Sequence, residues 1–232
     1  MTRAGYNSYS STKIVIIPTL NEELGIRQTI MDLKRNLNEF YILVVDGNST
    51  DRTAETAKDF GADVTFQEGK GKGDALAQGF KQIGFGIEYV VLIDADYTYP
   101  AEYIPHMVRI LDDNPLVGMV CGNRLTKRPD SEVLQTRFFI GNRLLAFVHN
   151  TFNGISLRDP LTGLRVVRTS ILSDWVIKSK GFDIEVELNC QVKRSGYHIV
   201  EVPIEYRKRV GNKKLALRHG VSILKRILTE SI

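Results

Sequence analysis

The chain has 232 residues, 43% apolar and 25% charged, which are the proportions of an ordinary globular protein with one well-formed core. Its two cysteines, Cys121 and Cys190, have no CxxC motif and no histidine at ligand spacing, which argues against a zinc site or a disulfide scaffold and predicts reduced core thiols. No run approaches the roughly 18 consecutive apolar residues of a membrane span, and the polar N-terminus lacks a signal-peptide core. These features predict a cytoplasmic protein.

The formal charge of +4 is concentrated at the C-terminus, since Tyr206 to Thr229 contains eight basic residues and no acidic ones. The remaining 23 basic and 27 acidic residues give −4. Such a segment favours an anionic partner, such as phosphates or a membrane surface. Nucleic acid is the least favoured anion, because aromatic residues are not interleaved with these charges.

In the first hundred residues, short apolar runs alternate with amphipathic segments, which predicts strands separated by helices. Asn21 is expected to cap the first helix, and Ser49, Thr50 or Asp51 the second. Continuous apolar strands predict an α/β fold with a mainly parallel sheet covered by helices on both faces. The predicted strands are 13–17, 41–45, 63–66 and 89–93.

Polar residues follow three of these strands. They are the turn 18–21, Asp46 and Asp94. Because ligands bind beyond the carboxyl ends of parallel strands, we expect these residues to meet at one edge of the sheet and form a site.

The second half predicts strands at 117–121, 164–167 and 199–202, with helices at 132–152, 184–195 and 215–228. The helix at 132–152 is unusually apolar, which fits either core packing or contact with a lipid. The last helix places Leu217, Val221, Leu224 and Leu228 on one face beside basic residues, so it is either an interfacial anchor or an ordinary packed helix.

Asp94-Ala95-Asp96 is the sharpest local signal for chemistry. Two carboxylates flanking one small residue at a strand end can both bind a hard divalent cation, leaving positions for diphosphate oxygens and water. The structural alternative is a polar strand-to-loop junction, because aspartate favours turns. A buried strand ending in two carboxylates is costly without a cation, and this favours a metal site.

Other polar features are less specific. The basic loop 69–73 matches neither common phosphate-loop pattern, so it is either near a diphosphate or a solvated turn. Any single arginine of the second half is expected to be solvated, although guanidinium groups match phosphate geometry. The four histidines have no partners at metal spacing and are expected to be structural. The arginines considered are Arg124, Arg137, Arg143, Arg165 and Arg168.

Taken together and in order, several segments resemble family 2 glycosyltransferases of the GT-A fold, and among them the dolichol-phosphate mannose and glucose synthases. The likeness runs from about Thr12 to Leu215. It implies a catalytic domain at 12–206, with a nucleotide-sugar half at about 12–122 and an acceptor half at about 123–206, followed by a basic amphipathic segment at 207–232. The segments are 16–22 (IIPTLNE), 44–46 (VVD) with Ser49 and Asp51, 94–96 (DAD), 122–124 (GNR), 159–165 (DPLTGLR) and 196–203.

The resemblance also implies roles by position. The nucleotide-sugar-binding residues would be Pro18, Asn21, Glu22, Asp46, Asp94, Ala95 and Asp96, with Asp46 on the base. Asp94 and Asp96 would bind Mg²⁺ or Mn²⁺. Arg124, Arg137 and Lys214 would bind the acceptor phosphate, with Asp96 and Arg124 the catalytic residues. Lys214 belongs to a C-terminal pattern approximated from Arg209 to Leu215.

The sequence departs from the family pattern at three points. Gly47 and Asn48 replace the usual aspartate and glycine after Asp46. The residues after Asp96 differ from those of some mannose synthases, which puts a third metal ligand in doubt. Gly181-Phe-Asp-Ile-Glu185 is similar to the glucose and N-acetylglucosamine branches as well as to the mannose branch.

The function implied is a metal-dependent, inverting transfer of a hexose, with mannose from GDP-mannose slightly favoured, onto a polyprenyl or dolichyl phosphate at the cytoplasmic face of a membrane. A phosphate acceptor is largely dianionic near neutral pH and needs no strong general base. Alternatives are a UDP-glucose or UDP-N-acetylglucosamine donor, or a soluble or protein acceptor. A non-catalytic nucleotide-sugar-binding module is the alternative of another class, and a Rossmann dehydrogenase is disfavoured by the missing glycine fingerprint.

Overall fold

The structure, a computed structural model, describes residues 12–125, 136–211 and 218–230. One sheet of seven strands runs through it in the order β3-β2-β1-β4-β6-β5-β7. All neighbouring strands are parallel except β6, which is antiparallel to both β4 and β5. The predicted, mainly parallel sheet is therefore confirmed. The strands are β1 (Lys13–Thr19), β2 (Phe40–Asp46), β3 (Asp63–Phe66), β4 (Tyr89–Leu92), β5 (Val117–Asn123), β6 (Arg165–Arg168) and β7 (His198–Pro203).

Helices cover both faces of the sheet, as the strand composition predicts. Along β1, Val15 and Ile17 pack with α1 and α4 on one face, while Ile14 and Ile16 pack with α3 and α6 on the other. All four side chains are fully buried, which is why the run is apolar without alternation. The helices are α1 (Glu23–Asn36), α2 (Thr53–Asp59), α3 (Lys72–Phe80), α4 (Ile104–Asp113), α5 (Thr136–Asn153), α6 (Ile184–Arg194) and α7 (Arg218–Thr229).

The expected cap of the first helix is wrong. Asn21 has a φ of 49°, and its side-chain oxygen accepts the backbone N–H of Thr50 at 2.7 Å instead of a donor in α1. Asp51 does bind the start of α2, since it accepts the N–H of Thr53 at 3.0 Å. Asn21 therefore joins two turns at the sheet edge, a role that short-range propensity does not reveal.

The C-terminal helix packs against the rest of the domain, as one of the two predicted alternatives has it, while its role as an interfacial anchor stays a prediction. Ile223 and Ile227 of α7 are buried in a cluster with residues of α6, and α7 also packs against α5. The stripe predicted from the sequence lies on another face, where Val221, Leu224 and Leu228 are exposed. Leu217 lies outside the described residues. In the described ranges, no helix is long and apolar enough to cross a membrane.

The cysteine prediction is confirmed, because Cys121 and Cys190 are both free and buried. Burial raises the pKa of the Cys121 thiol to about 11 and that of Cys190 to about 12, so neither is a reactive thiolate at neutral pH.

Arg165 is a clear exception to the solvated arginines expected from the sequence. Arg165 begins β6, and its buried guanidinium donates to the carbonyls of Thr162 and Pro160 and to the side chain of Asn189 at 2.6–2.9 Å. Asn189 in turn contacts the Nε2 atom of the buried His149 at 3.1 Å. This polar cluster holds the 160–162 loop in place, and it agrees with a structural role for His149.

Mild acid is expected to destabilise the fold through His149. Burial, and to a smaller extent the charge of Arg165, lowers the pKa of the imidazole to about 4, against about 6.5 in an unfolded chain. The contribution is complete above pH 6.5 and is lost as the pH falls toward 4, because only the unfolded state then takes up the proton. Between pH 7 and 5 this amounts to about 2 kcal/mol of unfolding free energy.

Urea unfolding of wild type and His149→Gln at both pH values measures this term. The loss on acidification should be about 2 kcal/mol smaller in the variant. Because the other histidines are common to both proteins, they cancel in the comparison, and equal losses would contradict the assignment.

Candidate active site

The three polar features expected at one sheet edge do meet there. Thr19, at the end of β1, lies opposite Asp46, at the end of β2, and the chain beyond β4 continues into Asp94. Glu22, in the turn after β1, is linked to Asp96 because both carboxylates contact the side chain of Arg209. The carboxyl ends of β1, β2 and β4 therefore form one polar site.

Asp46 organises the first part of this site. Its carboxylate is fully buried and accepts both the backbone N–H and the hydroxyl of Ser49 at 2.7 Å, together with the Thr19 hydroxyl at 3.3 Å. Asn48 has a φ of 62°, so the turn is tight. Ser49 also accepts the backbone N–H of Asn21 at 2.8 Å, which joins the turns after β1 and β2. The structure thus gives Asp46 a turn-forming role, and its contact with a base stays a prediction.

Asp94 and Asp96 are each neutralised by a cation from a distant part of the chain. The ammonium of Lys72 lies 2.6 Å from Asp94 and 2.7 Å from Glu185. Arg209 bridges Asp96 and Glu22 with its two terminal nitrogens. The second Asp96 oxygen accepts the backbone N–H of Thr98 at 3.2 Å and its hydroxyl at 2.6 Å.

The two carboxylates have opposite pKa shifts. Burial opposes ionisation of Asp94, but Lys72 overcomes it and holds the pKa of that carboxyl below its ordinary value. Burial and the nearby charge of Asp94 raise the pKa of Asp96, only partly offset by Arg209. Although burial works against it, the charges of Asp94 and Glu185 raise the pKa of the Lys72 ammonium. The repulsion from Asp94 that helps to raise the pKa of Asp96 would be relieved by a positive charge between the two carboxylates.

These residues fit a divalent metal as its protein ligands. Mg²⁺ binds through one or two carboxylates, with waters and substrate phosphates completing its octahedron, and Asp94 and Asp96 supply two such groups. Within the described part of the chain, no cluster of three acidic, histidine or cysteine side chains offers a third protein ligand. Arg209 occupies an oxygen of Asp96, so this contact must loosen before a metal takes that oxygen.

Arg124 forms the other half of the site. Its guanidinium makes a fork to the buried Asp159, with both nitrogen–oxygen distances 2.7 Å, and lies 5.3 Å from the ring centre of Tyr206. Burial opposes the charge, but Asp159 raises the pKa of Arg124 well above its ordinary value. The arginine also interacts electrostatically with Asp94. A cation fixed by its fork to Asp159 therefore lies close enough to interact electrostatically with Asp94, and a role for it in binding the acceptor stays a prediction.

Residues 204–211, here called the strap, cross the site after β7. The N–H of Val210 donates to the carbonyl of Asp96 at 3.1 Å, and the N–H of Arg207 to that of Thr98 at 2.9 Å. The side chain of Arg207 pairs with Asp32 at 2.7 Å. These contacts place Arg209 over the aspartates. The basic C-terminal charge noted in the sequence thus begins inside the site.

Two sequence-predicted phosphate ligands cannot be placed. Lys214 lies outside the described residues. Arg137 belongs to α5, but its side chain is likewise outside what the structure describes. Their proposed roles remain predictions.

Four residues of this site were given no role in the sequence analysis. Lys72 belongs to the segment 69–73, for which the sequence predicts either a phosphate-binding loop or a solvated turn. In the structure its ammonium is a partly buried ion-pair partner of Asp94. Glu185 and Asp159 lie in motifs that carried the family resemblance, which was the available signal. Arg209 was noted only as the start of a C-terminal pattern.

Comparison with known proteins gives the class. The family model for glycosyl transferase family 2 matches residues 14–175. The dolichyl-phosphate hexose transferase of Haloferax volcanii is 33% identical over 226 residues, covering 94% of this chain and 95% of that protein. The chain therefore belongs to glycosyltransferase family 2 and is a glycosyltransferase.

Two further comparisons extend this result. The undecaprenyl-phosphate mannosyltransferase of Micrococcus luteus is 28% identical over 218 residues, covering 88% of this chain and 87% of that protein. Glucosyl-3-phosphoglycerate synthase from Mycobacterium tuberculosis, crystallised with Mn²⁺, UDP and glucosyl-3-phosphoglycerate, superposes with a TM-score of 0.75 at 21% identity, covering 96% of this chain and 80% of that one. This likeness confirms the GT-A fold. The chain spans 50% and 63% of the length of two other Haloferax volcanii relatives.

Proposed function

We propose that this enzyme transfers a hexose from a nucleotide sugar to the phosphate of a polyprenyl lipid, with inversion at the anomeric carbon and with Mg²⁺ or Mn²⁺. The observation that carries the proposal is the pair Asp94–Asp96 beside the Arg124–Asp159 fork, since it combines a cation-binding acidic pair with a fixed cation for a second anion. The names of the relatives from Haloferax volcanii and Micrococcus luteus support a polyprenyl-phosphate acceptor.

The donor would bind along the ends of β1, β2 and β4. Pro18, Asn21, Glu22 and Asp46 would form the nucleoside pocket, and 94–96 the diphosphate site. When bound by Asp94 and Asp96, the metal supplies positive charge that stabilises the departing nucleoside diphosphate. We favour GDP-mannose slightly over UDP-glucose and UDP-N-acetylglucosamine as the donor.

The acceptor chemistry asks little of the protein. An oxygen of the lipid phosphate attacks the anomeric carbon while the bond from that carbon to the diphosphate oxygen breaks. A phosphate monoester, with its second pKa near 6, is largely dianionic at neutral pH, so no side chain has to remove a proton. The protein has to hold two anions close together, and Arg124, with Arg137 and Lys214, would do so.

An exposed apolar surface would bring the lipid to the site. On α5, Ile140, Leu144 and Phe147 are each at least 60% exposed and recur at helical spacing. On the neighbouring α7, Val221 is 72% exposed, and Lys225 is also exposed. Apolar side chains beside basic ones are typical of helices lying in the interface of an anionic membrane. We therefore place the enzyme peripherally at the cytoplasmic face.

Replacing Leu144 and Phe147 together with serine should weaken cosedimentation with phosphatidylglycerol-containing vesicles by about tenfold, since about 2 kcal/mol of apolar burial per side chain is partly lost. Leu116→Ser is the control, because Leu116 is 68% exposed but lies outside α5 and α7. If the double variant and Leu116→Ser bind the vesicles equally well, the exposed face of α5 does not contact the membrane.

The direct test is transfer to a short polyprenyl phosphate with GDP-mannose, UDP-glucose and UDP-N-acetylglucosamine supplied separately, with Mn²⁺ or with EDTA. The proposal predicts a glycolipid from one donor that EDTA abolishes. If a soluble acceptor is glycosylated and the lipid is not, the proposed lipid-phosphate acceptor is wrong, while the assignment to family 2 is unaffected.

Arg209 is expected to compete with the metal. Because it occupies an oxygen of Asp96, Arg209→Ala should bind Mn²⁺ more tightly than wild type in the absence of nucleotide, on the order of tenfold, which is about 1.4 kcal/mol. Electron paramagnetic resonance of free Mn²⁺ measures this directly.

Arg207→Ala is the matched control, since it removes the same charge from the strap but pairs with Asp32 instead of Asp96. A similar gain in both variants would indicate a general charge effect. Weaker Mn²⁺ binding in Arg209→Ala would contradict the competition.

A further inference from the structure

Glu201 is a partly buried carboxylate in β7 that none of the proposed roles uses. Its two oxygens accept two successive backbone N–H groups, that of Arg158 at 2.8 Å and that of Asp159 at 2.7 Å. Charge-assisted hydrogen bonds of this kind are stronger than bonds between neutral groups. Glu201 therefore anchors the backbone of the turn to which Asp159 belongs.

Asp159 connects this anchored turn to Arg124. One Asp159 oxygen accepts the Nε–H group of Arg124 at 2.7 Å and its backbone N–H at 3.0 Å, and the other oxygen accepts an N–H of Nη2 at 2.7 Å. The Asp159 side chain is 1% exposed, so close packing leaves it little freedom to keep these bonds if its backbone moves. The position of the guanidinium thus depends on the backbone that Glu201 holds.

The strand register explains why a residue of β7 can reach this turn. Glu201 lies opposite Cys121 of the parallel strand β5, and Arg124 directly follows the last residue of β5, Asn123. The N–H of Ile204, just beyond β7, donates to the carbonyl of Asn123 at 3.0 Å. The two strands therefore end side by side, with the anchor on one strand and the arginine after the other.

The loop that begins with this turn is held separately where it meets Asp94. The N–H of Gly163 donates to the hydroxyl of the buried Tyr99 at 2.7 Å. A Cβ on Gly163 would overlap an oxygen of Asp94, so this glycine lets the loop pack against that carboxylate. Because these contacts do not involve Glu201, its loss should release residues 158–159 and leave the loop in place beside Asp94.

The charged form of Glu201 depends on the turn in return. Burial raises the pKa of the Glu201 carboxyl above its ordinary value, although the N–H groups of Arg158 and Asp159 oppose this shift. An ionised carboxylate offers an acceptor oxygen to each of the two N–H groups, whereas the side-chain amide of glutamine offers only one. A change from glutamate to glutamine therefore breaks half of the anchor with almost no change in side-chain shape.

We propose that Glu201 is a positioning residue for the acceptor, which acts through Asp159 to fix the guanidinium of Arg124. The inference rests on the proposed function, because Arg124 would bind the lipid phosphate there. The carboxylate itself would repel an anion, so its contribution is to order the arginine before the acceptor binds.

Glu201→Gln tests this role through the kinetics. Its kcat/KM for polyprenyl phosphate should fall about tenfold, through a higher acceptor KM, while the Kd of the preferred nucleotide sugar with Mn²⁺ stays within about twofold of wild type. In an Arg124→Lys background, the same change should lower kcat/KM by less than about twofold, because the group through which Glu201 acts is already lost. Equal effects in the two backgrounds would overturn the proposal.

Glu187→Gln is the matched control. The two oxygens of Glu187 also accept two successive backbone N–H groups, those of Lys178 at 2.8 Å and Ser179 at 2.6 Å, but these belong to the loop before α6. This variant should lower the melting temperature without changing the acceptor KM. Glu201→Asp is the second test variant if Glu201→Gln fails to fold, since its shorter side chain does not reach both N–H groups, and it should show the same rise in acceptor KM.

Nuclear magnetic resonance of the Arg124 Nε–H group gives a readout that needs no acceptor. Its signal is identified by its loss in Arg124→Lys. The proton–nitrogen NOE should be high in wild type and in Glu187→Gln, and it should fall in Glu201→Gln as the guanidinium gains motion on the picosecond to nanosecond timescale. An unchanged NOE in Glu201→Gln would overturn the positioning role.

The two readouts separate this proposal from the proposed function. If wild type makes no glycolipid but the Arg124 signal depends on Glu201, the positioning of Arg124 stands and the lipid-phosphate acceptor is wrong. If wild type makes glycolipid and the acceptor KM rises equally in Glu201→Gln and Glu187→Gln, Glu201 has no special role and the proposed function is unaffected.

Discussion

Asp96→Ala is expected to reduce hexose transfer by at least about a thousandfold, with Asp96→Asn nearly as severe. Either change removes one of two carboxylates that would hold the metal on the diphosphate, and electrostatic stabilisation of a leaving group of this kind contributes several kcal/mol. Mn²⁺ binding should fall in parallel. The fold should persist, because Arg209 keeps its contact with Glu22 and the removed carboxyl has a raised pKa.

Asp112→Asn is the control for this prediction. Its carboxylate accepts the hydroxyl of Tyr89 at 2.7 Å. Tyr89 begins β4, at the opposite end of that strand from Asp94, so activity should stay within about twofold of wild type. The measurement is the initial rate of glycolipid formation. An Asp96→Ala enzyme that retains most of its rate with its metal binding intact would rule out the metal site at 94–96.

Arg124→Lys is expected to lower transfer about a hundredfold, mainly by raising the KM for the lipid phosphate. Lysine keeps the charge but cannot reproduce the two-pronged contact with Asp159, so the cation is no longer fixed beside the aspartates. Donor binding should be little affected. Lysine is preferred to alanine because alanine would leave the buried Asp159 without a counter-ion, at about 3–5 kcal/mol.

Arg168→Lys is the matched control. The Arg168 guanidinium donates to the carbonyls of Val117, at the start of β5, and of Leu111 in α4. Because Arg168 pairs with Tyr89 at the end of β4 remote from Asp94, this variant should lose stability without a change in acceptor KM. Steady-state kinetics at varied concentrations of the lipid phosphate gives the acceptor KM of each variant and so distinguishes Arg124→Lys from Arg168→Lys. If Arg124→Lys leaves the acceptor KM unchanged, the arginine does not bind the acceptor.

The parts of the fold that depend on local pattern were predictable. The runs in β1, β2 and β4 are apolar because both sheet faces are covered, and that composition is visible without a structure. Asp46 and Asp94 were expected at one edge because parallel strands end together there. The antiparallel insertion of β6 between β4 and β5 could not be predicted, because strand order depends on pairings between distant residues.

The ion pairs of the site could not be predicted from the sequence either, because they also join residues that are distant along the chain. Lys72 pairs with Asp94, 22 residues away in the sequence, and with Glu185, 113 residues away. Arg209 pairs with Asp96, which is also 113 residues away in the sequence. Asn21 was predicted from local sequence to cap α1, but its side chain instead binds the backbone of Thr50, 29 residues away in the sequence. The motifs indicated candidate site residues, and only the fold shows which charges lie beside them.

The measurement that tests the central claim most directly is the identity of the bond formed. Phosphorus NMR and mass spectrometry of the product from polyprenyl phosphate and the preferred donor should show a phosphodiester carrying one hexose, and dephosphorylated polyprenol should give no product. That result would establish the lipid phosphate as the nucleophile and agree with a site that fixes an arginine near Asp94. Transfer to the polyprenol hydroxyl, or equally efficient transfer to a water-soluble acceptor, would contradict the claim that the lipid phosphate is the acceptor.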